Sequence, residues 1–367
     1  MNDSHPSPVR WGILGAATIA RKNWLAILNS GNGIIRAVAS RDATRAQRWI
    51  DENQVQHPFS EAPEAVAGYE SLLAREDIDA VYIPLPTGVR KPWVIAAAKA
   101  GKHVLCEKPC GATGADVEEM VAACRDAGVQ FMDGVMFMHS DRLPALRRVL
   151  DDGESIGTLR RIASQFSFLA PEDFLAGGNI RVNSDLEPLG SLGDLGWYTI
   201  RFTQWAMNWE MPKAVSGRII NQTETGVPIE FSAELIYESG PTASFYCSFL
   251  TEHQQWAHLS GTKGNLDLRD FVLPYYGNEL EFTVANAHFE TDLCEFRMER
   301  HDTRHAVSEY ANSHANAQET KLFRTFAELA GSGQPDDHWP RITLQTQQVL
   351  DACLASARDG GVETSPG

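Results

Sequence analysis

The feature of this 367-residue sequence that most constrains its fold is the regular alternation of short apolar runs and helical patterns over its first third. Strands that alternate with helices of about 10–15 residues form β-α-β units around a parallel sheet. We therefore predict a Rossmann-type α/β domain over residues 1–136. Its predicted strands are RWGIL, IIRAVAS, IDAVYIPLP, HVLCE and VQFMDGVM.

Local signals indicate where several of these elements begin and end. A helix is predicted from about Thr18 to Ser30, and Asp42 is expected to cap the next helix. Gly101 is expected to follow the end of a third helix, because glycine readily adopts the left-handed conformation found there. Pro84 and Pro86 should lie at or beyond the end of their strand, since proline cannot donate a backbone hydrogen bond.

The pattern changes after about residue 160. Strand-like runs now follow one another with turns between them, which predicts a mostly antiparallel sheet and an α+β domain over residues 137–367. Two closing helices are expected at about 318–330 and 344–358, and segment 275–314 gives no clear prediction. The predicted strands lie in RRIASQFSF, AVSGRIIN, IEFSAELIYES, PTASFYCSFL and HLSGTKGNLDLR.

The composition limits the classes of partner. The formal net charge of −16 argues against a nucleic acid or an anionic membrane surface, because both bind basic proteins. No segment approaches the run of about 18 apolar residues that spans a membrane, and the polar N-terminus does not resemble an export signal. The six cysteines lack paired metal spacing, so we expect reduced thiols, no metal site and a cytoplasmic location.

A phosphate-binding turn is predicted between the first strand and the first helix. The sequence there matches G-x-G-x-x-G with alanine in place of the second and third glycines, which still allows the backbone to approach a pyrophosphate. The amides at the start of the helix would face the phosphates. The alternative is a packed turn without a ligand. The predicted contacts are Gly15, Ala16, Ala17, Thr18 and Ile19.

The end of the second strand predicts the type of dinucleotide. NAD-binding units carry an acidic residue there, which hydrogen-bonds the ribose 2′-hydroxyl. This chain has Ser40 and Arg41 instead, and a hydroxyl with a guanidinium suits a 2′-phosphate. Arg45 lies one helical turn further on. We therefore predict NADP(H), although Arg41 as an ordinary exposed residue at a helix start remains an alternative.

Four motifs together carry a resemblance to a known family: the Gly-Ala-Ala turn, AVYIPLPTG, HVLCEKP and GSLGDLGWY. They resemble the Gfo/Idh/MocA oxidoreductases, especially the uncharacterised plant members and the NADP-dependent xylose and dihydrodiol dehydrogenase branches. The resemblance implies a nucleotide-binding domain followed by a large open sheet, with the active site between them. It also implies a homodimer or homotetramer formed through that sheet, and a sugar-like or cyclic diol substrate.

The resemblance gives Glu107-Lys108-Pro109 a role. In the family the Lys-Pro bond is often cis, and the lysine points at the carbon that exchanges hydride with nicotinamide. Lys108 is therefore a predicted catalytic residue, with Glu107 supporting it or the nicotinamide side. The further predicted cofactor contacts lie at the end of the third predicted strand, IDAVYIPLP, and in the loop after it. They are Pro84, Leu85, Pro86 and Thr87.

A second catalytic element is predicted at residues 189–202. The family commonly places Asp here with His four residues later, and this chain has Asp194 and Tyr198 at those positions. The i, i+4 spacing puts both on one face of a helix. Tyr198 is expected to give a proton to the alkoxide during reduction, or to take the alcohol proton during oxidation. The alternative for Tyr198 is an aromatic side chain that only packs.

Other residues are less clear from the sequence. His139 and Arg181 are predicted to contact the substrate together with Asp194 and Tyr198. For His139 and Arg181, a packed or surface residue is an equally acceptable alternative. Arg90 occupies a place where many relatives differ, which leaves any substrate contact there in doubt. His301 and His305 are read as surface residues.

Three functions follow from these observations. The favoured one is an NADP(H)-dependent oxidoreductase acting on a carbonyl or secondary alcohol. A glycosidase or lyase that retains NAD and oxidises its substrate transiently is a second, and the residues at positions 40 and 41 argue against it. A non-catalytic NADPH sensor is a third, and the presence of both Lys108 and Tyr198 argues against that one.

Overall fold

The computed structural model describes residues 7–275 and 277–366. It divides into two compact units. The first unit contains residues up to His139 together with Asp185–Pro188 and Asn312–Gln347, and the second contains Ser140–Ser184, Leu189–Ala311 and the remaining C-terminal residues. Among the described residues, no helix is both long enough and apolar enough to cross a bilayer.

The first unit is built on a six-stranded sheet of order β3-β2-β1-β4-β5-β6 in which all neighbours run parallel. The strand order reverses between β1 and β4, and a ligand binds such a sheet beyond the carboxyl ends of its strands at this point. This architecture confirms the predicted Rossmann-type fold. The strands are β1 Val9–Leu14, β2 Gly33–Ser40, β3 Glu64–Ala67, β4 Ala80–Ile83, β5 His103–Cys106 and β6 Phe131–Asp133.

The helices of the first unit begin and end close to the positions that local signals predict. The helix after β1 covers Thr18–Ser30, and the Asp42 side chain caps the following helix by accepting a hydrogen bond from the Thr44 amide at 2.8 Å. Pro84 and Pro86 lie beyond the end of β4. The helices are α1 Thr18–Ser30, α2 Ala43–Gln56, α3 Tyr69–Leu73, α4 Thr87–Lys99 and α5 Gly114–Asp126.

A helix from near the C-terminus completes the core of the first unit. Helix α8, Gln318–Gly331, brings Phe323 and Phe326 against the fully buried Trp11 of β1, with ring centroids 5.3 and 5.0 Å apart. The sequence pattern places this segment in the C-terminal domain, whereas the structure groups it with the first unit. Helix α9, His338–Arg358, follows it.

The second unit is built on an eight-stranded sheet of order β14-β13-β12-β11-β7-β10-β9-β8. Strands β7 and β10 run parallel and the other described pairs are antiparallel, as predicted for the α+β domain. Its helices are α6 Arg142–Asp151 and α7 Trp197–Ala206. The strands are β7 Leu159–Leu169, β8 Ala214–Gln222, β9 Pro228–Ile236, β10 Thr242–Ser248, β11 Leu250–Gly261, β12 Asn265–Leu268, β13 Glu279–Asp292 and β14 Glu295–Ser308.

The segment that gave no clear prediction contains a long hairpin of β13 and β14. The two strands pair along their whole length, from Glu279 opposite Ser308 to Asp292 opposite Glu295. Strand β12 pairs with β13 only as far as Ala285, so the part of the hairpin beyond Ala285 extends past the sheet. This hairpin arm, residues 286–301, is mostly exposed.

Candidate active site

The predicted phosphate turn lies at the carboxyl end of β1. Gly15 has a φ of +120°, a backbone conformation that residues other than glycine rarely adopt. A Cβ at this position would lie 3.1 Å from Leu85 Cδ2. Ala16 and Ala17 then lead into α1, and among the described residues no side chain caps the start of this helix. The first backbone amides of α1 are therefore available to bind an anion, which is the role that the sequence predicts for them.

Two exposed arginines lie beside the end of β2. Arg41 and Arg45 are close enough to the Tyr69 phenol for their charges to lower its pKa, although burial dominates and holds that pKa above its usual value. The Tyr69 hydroxyl lies 3.8 Å from the position that a Cβ on Gly15 would occupy. Ser40 itself is buried, and its carbonyl accepts a hydrogen bond from Gly68 at 2.8 Å. Tyr69 therefore joins this end of the site, and the sequence alone gave no indication of it.

The loop after β4 is held from within by Arg90. This side chain is 2% exposed, and its guanidinium donates to the carbonyl of Leu85 at 2.9 Å and to that of Glu107 at 2.6 Å. It also donates to the carbonyl of Pro109. Arg90 thus fastens the loop after β4 to the Glu107–Pro109 loop.

Thr87 also has a partner that the sequence did not predict. Its hydroxyl donates to Glu187 Oε2 at 2.6 Å, and its amide donates to Glu187 Oε1 at 3.1 Å. Next to it, a Cβ on Gly88 would lie 1.9 Å from the carbonyl oxygen of Asp185, so this close approach requires glycine. Segment Asp185–Pro188 therefore covers the start of α4 within the first unit.

Glu107, Lys108 and Pro109 follow β5 directly, and the Lys108-Pro109 peptide is cis. Glu107 accepts a hydrogen bond from the Tyr82 hydroxyl at 2.6 Å and another from the Lys108 amide at 3.2 Å. Tyr82 in turn accepts from Asn23 Nδ2 at 2.6 Å. Burial raises the pKa of Tyr82 well above its usual value, and Glu107 raises it further, so the phenol stays a hydrogen-bond donor.

The carboxyl ends of β1, β4 and β5 meet at one edge of the parallel sheet, so the phosphate turn, the Pro84–Thr87 loop and Lys108 share that edge. Lys22, which the sequence interpretation missed, belongs to the same neighbourhood. It is partly buried on α1 and interacts electrostatically with Glu107 and Lys108.

The second unit contains the other predicted catalytic residues. Asp194 lies in the turn Leu192–Gly196 that leads into α7, and it accepts a hydrogen bond from Arg181 Nε at 2.7 Å. Tyr198 follows on α7, is 8% exposed, and contacts the Phe166 ring edge-on at 5.5 Å. Arg181 and Asp194 thus form an ion pair that the sequence did not predict, and the pairing of Tyr198 with Lys108 stays a prediction.

His139 lies at the end of the first unit, in the short 3-10 turn Met136–His139. Its ring stacks on Trp339 of α9, with centroids 4.7 Å apart and planes at 14°. This contact matches the packing alternative that the sequence left open, and a role in substrate binding stays a prediction.

Comparison with known proteins decides the family. Residues 9–135 match the family model for the Gfo/Idh/MocA oxidoreductases, described as an oxidoreductase family with an NAD-binding Rossmann fold. Residues 144–267 match the model of the Gfo/Idh/MocA C-terminal domain. The chain belongs to the Gfo/Idh/MocA family. The predicted family, fold class and oxidoreductase class are thereby confirmed.

Two relatives show which branches of the Gfo/Idh/MocA family are similar. The chain is 34% identical to D-xylose 1-dehydrogenase (NADP(+)) 2 of Haloferax volcanii, over 70% of this chain and 74% of the relative. It is also 34% identical to mouse trans-1,2-dihydrobenzene-1,2-diol dehydrogenase, over 72% of this chain and 76% of that enzyme. Their names match the xylose and dihydrodiol dehydrogenase branches that the sequence motifs resemble.

A solved structure is similar over 95% of this chain. The 3-ketoreductase of Actinomadura kijaniata, crystallised with NADP and TDP-benzene, superposes with a TM-score of 0.80. The two proteins are 27% identical, and the match covers 95% of this chain and 98% of the ketoreductase. Levoglucosan dehydrogenase, at 17% identity and a TM-score of 0.79, shares the fold.

Proposed function

We propose that this protein is an NADP(H)-dependent oxidoreductase that moves a hydride to or from a carbonyl or secondary alcohol of a sugar-like or cyclic diol substrate. The observation that carries the proposal is the loop Glu107–Pro109 at the carboxyl edge of the sheet. Arg90 and Tyr82 hold this loop beside the edge at which the phosphate turn ends. The xylose dehydrogenase and the dihydrobenzenediol dehydrogenase to which this chain is similar support the substrate class.

NADP(H) fits the residues of the first unit. The turn at Gly15 requires glycine, because φ is +120° and a Cβ would lie 3.1 Å from Leu85 Cδ2, and it leads to the uncapped first amides of α1, which would bind a pyrophosphate. Arg41 and Arg45 provide positive charge at the end of β2, where an acidic residue would select NAD. Pro84, Leu85 and Pro86 would line the path towards the nicotinamide, which gives or takes the hydride when bound.

We propose that Lys108 and Tyr198 handle the proton of the same reaction. During reduction the Tyr198 phenol donates its proton to the oxygen that becomes an alkoxide, and the Lys108 ammonium stabilises the negative charge on that oxygen. During oxidation the Tyr198 side chain, as a phenolate beside the Lys108 cation, takes up the alcohol proton. The ion pair with Arg181 fixes the orientation of Asp194, one helical turn before Tyr198.

Fluorescence titration with NADPH and with NADH tests the cofactor. The wild-type protein should bind NADPH more tightly than NADH. Arg41→Ala should weaken NADPH binding about tenfold, since an arginine–phosphate contact contributes roughly 1.4 kcal/mol, and should leave NADH binding unchanged. Arg48→Ala, on the exposed surface of α2, is the matched control. Equal affinity for both nucleotides, or a nucleotide that co-purifies and does not exchange, would contradict the proposal and favour the glycosidase-like alternative.

We further propose that the chain forms a homodimer or homotetramer through the sheet of the second unit. The hairpin arm supports this, because its apolar side is exposed: Phe289, Phe296 and Met298 are 61%, 70% and 73% exposed. The strand register places Phe289 opposite Met298 on one side of the arm. Replacing both phenylalanines with serine should lower the mass measured by light scattering, and an unchanged mass would count against a role for the arm.

A further inference from the structure

The start of α4 is capped by a part of the chain to which the proposed mechanism gives no task. The first backbone amides of a helix have no partner within the helix, and a side chain just before it usually accepts from one of them. Pro86 stands at that position before α4 and offers no such acceptor. The partners of the first amides of α4 must therefore come from elsewhere in the chain.

Segment Asp185–Pro188 supplies the partners of the first two amides. The Thr87 amide donates to Glu187 Oε1 at 3.1 Å, and the Gly88 amide donates to the Leu186 carbonyl at 2.9 Å. The Thr87 hydroxyl donates to Glu187 Oε2 at 2.6 Å. Thr87 is 3% exposed, so water competes little for these two bonds, and the charge of the carboxylate strengthens them.

The backbone at Gly88 allows this segment to approach α4. A Cβ at position 88 would lie 1.9 Å from the Asp185 carbonyl oxygen, which is closer than two such atoms can come. The residues before Asp185 and after Pro188 are grouped with the second unit, whereas these four are grouped with the first. Glycine at position 88 and the carboxylate of Glu187 therefore belong to one contact, which joins parts of the chain 100 residues apart.

The same turn of α4 holds the loop that carries Lys108. The Thr87 hydroxyl lies 3.3 Å from the Pro109 carbonyl oxygen. The Arg90 guanidinium donates to that carbonyl and, at 2.6 Å, to the carbonyl of Glu107. Because Lys108 lies between these two carbonyls, its position depends on how firmly this turn of α4 is held.

We propose that Glu187 is a positioning residue for Lys108: its carboxylate caps α4 and so fixes the helical turn that holds the backbone on both sides of the lysine. The catalytic meaning of this inference rests on the proposed function, in which Lys108 stabilises the charge on the reacting oxygen. The contacts themselves lie within the first unit and need no substrate.

Hydrogen–deuterium exchange of the full-length protein without nucleotide tests the inference without a turnover assay. The Glu107 amide donates to the Ile83 carbonyl at 3.2 Å, and the Lys108 amide donates to the Glu107 carboxylate at 3.2 Å, so both amides report the conformation of the loop. In Glu187→Ala, exchange should become at least about threefold faster in two peptides, 84–92 at the start of α4 and 103–113 around Lys108. Faster exchange in 84–92 alone would make Glu187 a local cap only and would overturn the inference.

Three further variants separate the contact from other effects of the substitution. Gly88→Ala should accelerate exchange in the same two peptides, because its Cβ displaces the segment while the carboxylate is kept. Glu187→Gln keeps an oxygen for the Thr87 amide and gains a donor for the Thr87 oxygen, so it should exchange like the wild type. Glu118→Ala removes an exposed carboxylate of α5 and should change neither peptide. If Glu187→Gln behaves like Glu187→Ala, the charge rather than the hydrogen bonds is responsible, and the inference is overturned.

Steady-state kinetics separates this inference from the proposed function. Glu187→Ala should lower kcat about tenfold and change the KM for NADPH less than about twofold, since a small displacement of a reacting group is costly. Glu187→Gln should keep kcat. Faster exchange around Lys108 with an unchanged kcat would overturn the positioning role. Faster exchange in a protein that turns over none of the tested sugars or diols would support the link between Glu187 and the loop, and would count against the proposed function.

Discussion

At the loop after β5, buried groups hold the backbone around Lys108 at several atoms. Arg90 binds the carbonyls on both sides of Lys108, and Tyr82 binds Glu107. At the end of β2, by contrast, Arg41 and Arg45 are exposed. Under the proposed function, the chemistry at Lys108 therefore depends on a backbone held by buried groups, whereas the preference for NADPH depends on exposed charges that salt screens.

The largest effect is expected from replacing Lys108, in the loop after β5. Lys108→Met should lower kcat by a factor on the order of 10²–10⁴, because it removes the cation proposed to stabilise the negative charge on the reacting oxygen. NADPH affinity should change by less than about threefold. The measurement is steady-state kinetics beside nucleotide titration, with Lys99→Met as the control. Retention of more than about a tenth of the wild-type kcat would show that Lys108 is not catalytic.

The next effect concerns the clamp itself. Arg90→Met should lower the free energy of unfolding by roughly 3 kcal/mol, since it leaves the buried carbonyls of Leu85, Glu107 and Pro109 without this donor. Urea denaturation measures the change, and Arg48→Met, an exposed arginine of α2, is the matched control. A loss below about 1 kcal/mol would mean that the loop does not need Arg90 to hold its conformation.

The smallest effect is expected from replacing Arg45, one of the two exposed arginines at the end of β2. Arg45→Ala should weaken NADPH binding only about two- to threefold at low salt, because an exposed charge contributes little. The difference from the wild type should vanish near 0.5 M salt, where charges are screened over a few ångströms. Titration of NADPH at two salt concentrations measures this. A difference that does not depend on salt would place Arg45 in a buried contact. The contrast between the buried loop after β5 and the exposed arginines after β2 would then be wrong.

Local signals predicted the parts of the site that depend on neighbouring residues. The turn at Gly15, the cap at Asp42 and the Glu107–Pro109 loop all lie within a few residues of the strand ends that define them. Arg90 was visible as a departure from the family pattern, but its targets include the Pro109 carbonyl, 19 residues away. A single sequence contains no information about which distant atoms a buried guanidinium will meet.

Other features could not be predicted because they depend on contacts far apart in the chain. The Thr87 hydroxyl binds Glu187, 100 residues away in the sequence, and Trp11 packs against Phe323 and Phe326 of α8 across a still longer separation. The hairpin of β13 and β14 was not predicted for a different reason. Its apolar side chains in the arm do not cover a core, so the usual alternation of buried and exposed residues is missing there.

The origin of α8 affects how the protein is made. The ribosome completes the six strands of the first sheet within the first 133 residues, but the phenylalanines that cover Trp11 are translated almost 200 residues later. During synthesis, the nascent nucleotide-binding unit therefore exposes apolar surface until the C-terminal region emerges. We expect this interval to be the period in which the nascent chain is most vulnerable to aggregation and to proteases.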